Sequence, residues 1–272
     1  MKLVTVATHS ERYFPFLLES CKRHSADLVV LGWEEKWGGF MMKVRLMKDY
    51  LSTLERDEVV CFIDAYDVIL LKPLDVLEQR FRATGADVAV SMMCQYSWWV
   101  QLITRFGFGL CRRKPINAGT YVGFAGTLLD MMVNMCDVND CSDTELDDQI
   151  LLTRYCEAHA DIYIDVRSDM FYVCMFSESF MPDSCILHAP GTRDLGPFLT
   201  ENGYVGGELV DRKVIQYYVS YAKHWATHVA VSFLLLISFA IVVAWIIRRS
   251  LRARAALGVG RVVARRLRGV GK

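Results

Sequence analysis

Two patterns of apolar residues alternate along the first part of the chain. Short, nearly continuous apolar runs predict buried strands, and apolar residues at helical spacing between them predict helices. The strands are expected at residues 3–7, 27–32, 59–63 and 87–92, and the helices at residues 12–24, 43–54 and 73–83. This β-α-β-α-β-α-β order predicts an α/β protein with a doubly wound sheet and right-handed crossovers.

The pattern beyond residue 92 is less regular. Residues 94–108 are rich in aromatic side chains and form either a flap or a packed connection. Residues 117–124 combine a turn with a strand, and their glycines allow another group to approach the backbone closely. Further strand-like runs are expected at residues 161–166, 171–176 and 186–191.

The last apolar run differs from the others in length. Residues 229–247 carry no charge, and as a helix they would extend about 28 Å, close to the ~30 Å core of a bilayer. The run predicts a single-pass transmembrane helix, with a buried core helix as the alternative. The expected organisation is a globular domain at 1–200, a juxtamembrane linker or helix at 201–228, the membrane helix at 229–247 and a basic tail at 248–272.

Charge is distributed unevenly along the chain. The tail carries nine Lys and Arg and no acid, which leaves 22 basic and 31 acidic residues elsewhere, a formal charge of −9. An acidic globular part argues against a nucleic-acid partner. The positive tail favours the cytoplasmic face of a membrane and contact with anionic lipid, which would put the domain on the far side. The lack of a signal-peptide pattern favours a cytoplasmic domain instead, so the side of the membrane stays open.

The nine cysteines include no C-x-x-C pair and no zinc-ligand spacing. Several lie inside apolar runs, as buried free thiols do. The pattern predicts mostly free cysteines in a reducing compartment.

Two carboxylates, Asp64 and Asp67, follow the third predicted strand, with Tyr66 between them. In open α/β sheets, ligands bind beyond the carboxyl ends of the strands. Acidic oxygens at that position suit a hard divalent cation, which commonly bridges to phosphates. The alternative is that the two residues only form a turn and cap a helix.

A series of short motifs resembles the glycosyltransferase domain of the procollagen lysyl hydroxylases and its stand-alone relatives, including those of large DNA viruses. The motifs occur in the family's order over about residues 2–195. They are VTVAT (4–8), LGWEEKWGG (31–39), KVRLMK (43–48), FIDAYDVIL (62–70), NAGTYVGFA (117–125), DDQILLTR (147–154) and LHAPG (187–191). The resemblance implies a GT-A-type fold with a doubly wound mixed sheet, a Mn²⁺ ion and a UDP-sugar donor.

The resemblance also assigns residues to the site. It implies Asp64, Asp67 and His188 as metal ligands, and Mn²⁺ accepts such mixed carboxylate and imidazole ligands. The implied donor contacts are Thr8, Trp37, Lys43, Tyr66, Asn117, Gly191 and Arg193. Tyr66 would stack on uracil or simply pack. The family's residues between GG and KVR are absent here, which puts the contacts from the Trp37 loop in question.

The remaining implied residues concern the acceptor. Asp147 and Asp148 are candidates for orienting the acceptor hydroxyl or acting as a base, or they only decorate a helix N-terminus. Either Trp98 or Trp99 matches a tryptophan of the acceptor or sugar pocket. The family follows its metal-binding His with G-N-G and a Lys, whereas Ala189 and Pro190 precede Gly191 here, and Arg193 would replace the Lys as a diphosphate contact.

The sequence therefore predicts a membrane-anchored, Mn²⁺-dependent hexosyltransferase. It would move galactose or glucose from a UDP-hexose to a protein or glycan hydroxyl, with hydroxylysine or galactosyl-hydroxylysine of a collagen-like chain as the implied acceptor. No lysyl hydroxylation is expected. Two alternatives stay open, a non-catalytic, membrane-anchored UDP-sugar-binding protein and a metal-dependent phosphoryl or nucleotidyl transferase.

Overall fold

The protein is described by a computed structural model that covers residues 1–94, 105, 108–137, 146–174, 183–190, 195–205, 230–231 and 233–249. Within these residues the chain divides into two compact units, Met1–Val214 and Ile215–Lys272. The first unit contains all the strands and the candidate site described below. Trp98, Trp99, Gly191 and Arg193 lie outside the described residues.

The first unit has its strands and helices in the predicted alternation. The strands are β1 (Lys2–Val6), β2 (Leu28–Leu31), β3 (Val59–Ile63), β4 (Val68–Leu70), β5 (Val88–Cys94), β6 (Ile116–Phe124), β7 (Tyr163–Asp165), β8 (Phe171–Cys174) and β9 (Ile186–His188). The helices are α1 (Phe14–Arg23), α2 (Met41–Leu51), α3 (Leu74–Ala83), α4 (Ala125–Asp137), α5 (Asp148–Ala158) and α6 (Gly196–Glu201). Strand β4 is the one element before residue 92 that the sequence pattern does not predict, because it is only three residues long.

The described strands form one mixed sheet. Their order is β2-β1-β3-β6-β5-β8-β9-β4, and β7 pairs with β5. β1 is parallel to β2 and β3, whereas β6 is inserted antiparallel between β3 and β5, and β4 is antiparallel to β9. The predicted α/β class with a mixed sheet is therefore confirmed.

Helices pack against both faces of the sheet. Side chains of successive strand residues point to opposite faces, so each central strand contributes to two hydrophobic clusters. Val60 and Phe62 of β3 pack in the cluster that includes residues of α2, α4 and α5. Cys61 and Ile63 of the same strand pack in the cluster that includes residues of α1 and α3. All five residues of β3 are buried, as its continuous apolar run predicts. β3 therefore lies in the interior of the first unit, and the candidate site is at its carboxyl end.

The cysteines differ from the prediction. Cys111 and Cys156 form a disulfide with a Cα–Cα distance of 5.7 Å, and Cys136 is also disulfide-bonded. The prediction of free thiols is wrong for these three residues, and in the case of Cys111 and Cys156 the fold brings together cysteines that are 45 residues apart in sequence. The free cysteines among the described residues are all buried, namely Cys21, Cys61, Cys174 and Cys185. Disulfides persist in oxidising compartments, so the argument for a reducing compartment no longer holds.

In the second unit, residues 230–231 and 233–249 are helical. Searching the described part of the chain finds no helix with both the length and the apolar character needed to cross a membrane. The transmembrane helix expected at 229–247 is therefore not supported.

Candidate functional site

The site begins where β3 ends, at Asp64. The strand is antiparallel to β6, and Ile63 lies opposite Thr120. This register places Gly119 beside Asp64, and the Asp64 amide donates a hydrogen bond to the Gly119 carbonyl at 2.7 Å. The backbone of Asp64 is thus held by the sheet, and its carboxylate projects beyond the strand end.

Asp67 and His188 are brought together by the pairing of β4 with β9. Asp67 immediately precedes β4, and Val68 lies opposite His188 in the antiparallel register. The Ala189 amide donates a hydrogen bond to the Asp67 carbonyl at 2.8 Å, which extends the pairing by one step. A histidine far along the chain therefore lies against the D-x-x-D segment.

The side chains of these three residues converge. His188 Nε2 lies 3.3 Å from Asp67 Oδ1 and 3.7 Å from Asp64 Oδ2. One ligand atom from each residue can be chosen so that all three lie within 4.8 Å of one another. The His188 side chain is only 1% exposed, yet neither ring nitrogen has a hydrogen-bond partner among the described residues. A buried imidazole without a partner, facing two carboxylates, fits a divalent cation.

Gly119 leaves the space that these side chains occupy. A Cβ atom at this position would lie closer than 3.0 Å to both Asp64 Oδ2 and His188 Cε1. Asn117 borders the same space, because its Oδ1 accepts a hydrogen bond from the Gly119 amide at 2.9 Å. The sequence motif marked a close approach to these glycines, and the structure identifies the approaching groups as two of the candidate metal ligands.

A buried ion-pair network adjoins the cluster. Lys43, on the first turn of α2, places its Nζ 2.6 Å from Asp148 Oδ2 and 3.1 Å from Asp64 Oδ1. Burial lowers the pKa of Lys43, but the combined effect of the Asp148 and Asp64 carboxylates raises this pKa by more, so the net shift is upward. Burial also raises the pKa of Asp148, and this effect outweighs the opposing effect of Lys43. Lys43 thus connects a candidate metal ligand with a candidate acceptor-side carboxylate.

The two neighbouring acids at the start of α5 have different surroundings. Asp147 is the N-cap residue, and its Oδ1 accepts a hydrogen bond from the Gln149 amide at 2.8 Å. Asp148, one residue later, is 7% exposed and faces Lys43. Capping by Asp147 is the structural role that the sequence left as an alternative for this pair. The helix begins between these two residues, so they have different contacts although they are adjacent in the motif.

Gln149 fixes this helix to the sheet. Its Oε1 accepts a hydrogen bond from the Ala118 amide at 2.8 Å, and its Nε2 donates to the Ile116 carbonyl at 2.9 Å. These bonds set the distance between α5 and β6, and hence between Asp148 and the metal-ligand cluster. Gln149 belongs to the DDQILLTR motif, but the motif by itself does not indicate this role.

The loop after β1 borders the other side of the cluster. The Thr8 amide donates a hydrogen bond to the Tyr66 hydroxyl at 3.1 Å, and this hydroxyl donates to the His9 carbonyl at 3.2 Å. Tyr66 also lies near the ring of Phe14, with a centroid distance of 6.2 Å. The Tyr66 ring therefore has a defined orientation next to Asp67.

The structure brings most of the described candidates into one region. Thr8, Lys43, Asn117 and the metal-ligand cluster are connected by the contacts above, whereas Trp37 is 44% exposed and packs edge-on against Phe40 at 6.0 Å. Gly119 and Arg12 also belong to the site, although sequence reasoning gave neither a site role. The N-A-G motif could have indicated the role of Gly119, whereas no sequence motif indicated a role for Arg12.

Comparison with known proteins now adds the family. The family model described as "PLOD GT domain" matches residues 1–178. The chain is 25% identical over 184 residues to a procollagen-lysine,2-oxoglutarate 5-dioxygenase of Drosophila melanogaster, over 63% of this chain and 25% of the fly protein. It is 28% identical over 166 residues to the human multifunctional procollagen lysine hydroxylase and glycosyltransferase LH3, over 56% of this chain and 21% of the human protein.

Among solved structures, the fold aligns with that of a glycosyltransferase involved in the glycosylation of the major capsid of PBCV-1. The TM-score is 0.44 at 10% identity, over 71% of this chain and 93% of the other. The matched part of this chain spans about a quarter of the length of the curated relatives described above.

The family match defines the class of this protein, which is a glycosyltransferase. More particularly, the chain belongs to the PLOD GT domain family, whose model match ends at residue 178, before His188.

Proposed function

We propose that this protein is a Mn²⁺-dependent, GT-A-type glycosyltransferase that moves galactose or glucose from a UDP-hexose to a hydroxyl acceptor. The observation that carries the proposal is the buried imidazole of His188, which faces the carboxylates of Asp64 and Asp67 and has no hydrogen-bond partner within the part of the chain that the structure describes. A structural histidine buried to this extent would normally have a partner. A cation held by Asp64, Asp67 and His188 would be that partner.

Asp64, Asp67 and His188 would hold the ion. When bound, Mn²⁺ supplies Lewis-acid chemistry, neutralising the negative charge on the diphosphate as the sugar's C1 leaves. The protein prepares the site for this task through backbone contacts, since Asp64 is bonded to Gly119 and Asp67 to Ala189. The ligands are thus positioned by strand pairing before any substrate binds.

The nucleotide would lie along the loop after β1. Tyr66 has its hydroxyl fixed by Thr8 and His9, so its ring can stack on uracil without first losing rotational freedom. Tyr66 directly precedes Asp67 in the chain. A uracil ring at Tyr66 would therefore be close enough for the diphosphate of the same nucleotide to reach the ion. Trp37, Asn117, Gly191 and Arg193 remain proposed donor contacts.

Asp148 would act on the acceptor, as the base or as the group that orients its hydroxyl. Burial raises the pKa of Asp148, which makes its carboxylate a better proton acceptor than an exposed aspartate. Lys43 holds Asp148 and Asp64 at hydrogen-bond distance, so the acceptor side and the metal side are coupled through one ammonium. Asp147 would contribute through the helix cap, and Trp98 or Trp99 would line the acceptor or sugar pocket.

The proposed acceptor is the hydroxyl of hydroxylysine or galactosyl-hydroxylysine on a collagen-like chain. The support is the naming of the relatives, which are procollagen lysine hydroxylases and, in the human case, a glycosyltransferase as well.

The test is release of UDP by the full chain from a panel of UDP-sugars with Mn²⁺, with and without hydroxylysine and galactosyl-hydroxylysine peptides. We expect one UDP-hexose to be consumed, with loss of activity on EDTA treatment and in Asp64→Asn. The matched control is Asp130→Asn, since Asp130 is exposed and pairs with Arg56 away from the cluster.

Three outcomes would contradict the proposal. UDP binding without turnover of any donor would favour a non-catalytic binding protein. Cleavage within the diphosphate would favour a phosphoryl or nucleotidyl transferase. Activity that persists in EDTA and in Asp64→Asn would remove the metal from the mechanism.

A further inference from the structure

Arg12 occupies an unusual backbone conformation at the edge of the metal-ligand cluster. Its φ is +50°, in the left-handed region that favours glycine. The conformation belongs to a turn in which the Phe14 amide donates a hydrogen bond to the Glu11 carbonyl at 3.1 Å. The next residue is tied to the opposite loop, because the Tyr13 amide donates to the Tyr66 carbonyl at 3.4 Å. Such strain persists where the surroundings enforce it, often at binding sites.

The turn directs the Arg12 side chain towards Asp67. Its Nη1 lies 3.8 Å from Asp67 Oδ2, and the side chain is 20% exposed. Its Nε is fully buried but has no hydrogen-bond partner among the described residues. A guanidinium carries five N–H donors, and the 3.8 Å separation from Asp67 is too long for a hydrogen bond, so the exposed part of the side chain is able to donate to a bound acceptor.

The two oxygens of Asp67 face different groups. Oδ1 lies 3.3 Å from His188 Nε2, on the side where the ion would bind, and Oδ2 faces Arg12. The guanidinium therefore lies beside the metal-ligand cluster and does not replace any of its members. An anion bound to the ion could reach Arg12 across Asp67.

We propose that Arg12 is a donor-binding residue that contacts the diphosphate of the nucleotide sugar next to the metal. This inference rests on the proposed function. A planar guanidinium suits phosphate oxygens, to which it can donate two parallel hydrogen bonds. The diphosphate supplies hydrogen-bond acceptors for the exposed part of the guanidinium and the negative charge that this cationic side chain attracts. Arg193, the cation that the sequence motif associates with the diphosphate, would then be assisted by one from the first loop of the fold.

The alternative is a purely structural arginine that orients Asp67. The two roles differ in what they affect. A structural role acts through the metal ligand, so its loss would weaken binding of Mn²⁺ itself. A diphosphate contact acts on UDP and not on uridine or on the ion.

The decisive variant is Arg12→Gly. Glycine adopts the left-handed conformation without strain, so the turn is kept while the guanidinium is removed. Arg12→Lys keeps the charge but not the fork, and Arg56→Gly is the control, because Arg56 is exposed and pairs with Asp130. For each full-length variant, Mn²⁺ affinity is measured by electron paramagnetic resonance. UDP affinity at saturating Mn²⁺ is measured by calorimetry, uridine affinity by ligand-observed NMR and folding by the thermal midpoint.

We expect Arg12→Gly to weaken UDP binding by about tenfold or more, as loss of a charged hydrogen bond does, with uridine and Mn²⁺ affinity unchanged. The thermal midpoint of Arg12→Gly should not fall below that of wild type. The UDP affinity of Arg12→Lys should lie between those of wild type and Arg12→Gly. Wild-type UDP affinity in Arg12→Gly, or an equal loss for UDP and uridine, overturns the inference. A loss of Mn²⁺ affinity assigns Arg12 the structural role. Failure of wild type to bind UDP overturns the proposed function together with this inference, whereas the other outcomes leave that function intact.

Discussion

Gly119→Ala tests the metal site by filling the space between its ligands. The substitution adds one methyl group on β6, in a strand residue whose backbone is already hydrogen-bonded to Asp64. The added Cβ would lie closer than 3.0 Å to Asp64 Oδ2 and His188 Cε1, whereas ordinary contact begins at 3.4 Å. Both ligand side chains must therefore move, and Asn117 Oδ1, at 3.0 Å from the same Cβ, limits the direction of movement.

The size of the effect follows from that displacement. The ligands have to shift by more than the roughly 0.2 Å over which metal–ligand distances normally vary. Disturbing the groups that orient metal ligands typically lowers metal affinity by about 10- to 100-fold. Here two of the three ligands are displaced directly, so we expect a loss at the upper end of that range or beyond, and UDP release should fall with it.

The assay is a titration with Mn²⁺ in which the electron paramagnetic resonance signal of the free ion is measured. The increase in thermal midpoint with added Mn²⁺ gives a second measurement, because a ligand that binds only the folded state stabilises it. Gly123→Ala is the matched control. It lies on the same strand, and its Cβ would lie 2.8 Å from the Asp87 carbonyl oxygen, away from the ligands. It should therefore lower stability while leaving Mn²⁺ affinity unchanged.

Wild-type Mn²⁺ affinity in Gly119→Ala, in a protein that is shown to be folded, would refute the reasoning. It would mean that Asp64 and His188 do not bind the same ion. Equal losses of Mn²⁺ affinity in Gly119→Ala and Gly123→Ala would also count against the site, since the effect would then reflect the fold as a whole.

Four further predictions concern the buried ion pair beside the cluster and the disulfide. Lys43→Met leaves Asp148 buried without its ion pair and should reduce the free energy of unfolding in urea by about 3–5 kcal/mol; wild-type stability would show that the pair is not formed. Asp148→Asn should lower UDP release by about 10²- to 10⁴-fold with Mn²⁺ affinity kept, and unchanged turnover would exclude Asp148 from catalysis. Because burial raises the pKa of Asp148, its active, ionised form is lost as pH falls through a value above 3.8, and an acid limb of the pH–rate profile below 3.8 would contradict this role. Replacing both Cys111 and Cys156 by Ser frees a loop with a sequence separation of 45 and should lower the free energy of unfolding by about 4 kcal/mol; no change on chemical denaturation would argue against the disulfide.

Local features of the sequence were sufficient to predict much of the fold. The apolar run of β3 and the acids that follow it are adjacent in the chain, so one pattern predicts both the buried strand and the carboxylates at its end. The motifs also pointed to His188, which the structure places 3.3 Å from Asp67. The short strand β4 escaped prediction because three residues show too little periodicity.

Contacts between distant segments decided the rest. Asp147 and Asp148 look equivalent in sequence, but the first caps α5 and the second faces Lys43, because Asp147 precedes the helix with an extended backbone and Asp148 is the first helical residue. The disulfide between Cys111 and Cys156 likewise depends on how the segment before β6 lies against α5, which cysteine spacing does not reveal.

The sequence by itself therefore determined the alternation of strands and helices, the burial of β3 and the acidic residues at its carboxyl end. Only the tertiary structure decided that β6 runs antiparallel beside β3, that Gly119 leaves space for two ligands and that Arg12 lies against Asp67. The physical reason is that periodicity and burial depend on near neighbours in the chain. A binding site depends on strand register and side-chain direction, which are fixed when distant segments pack together.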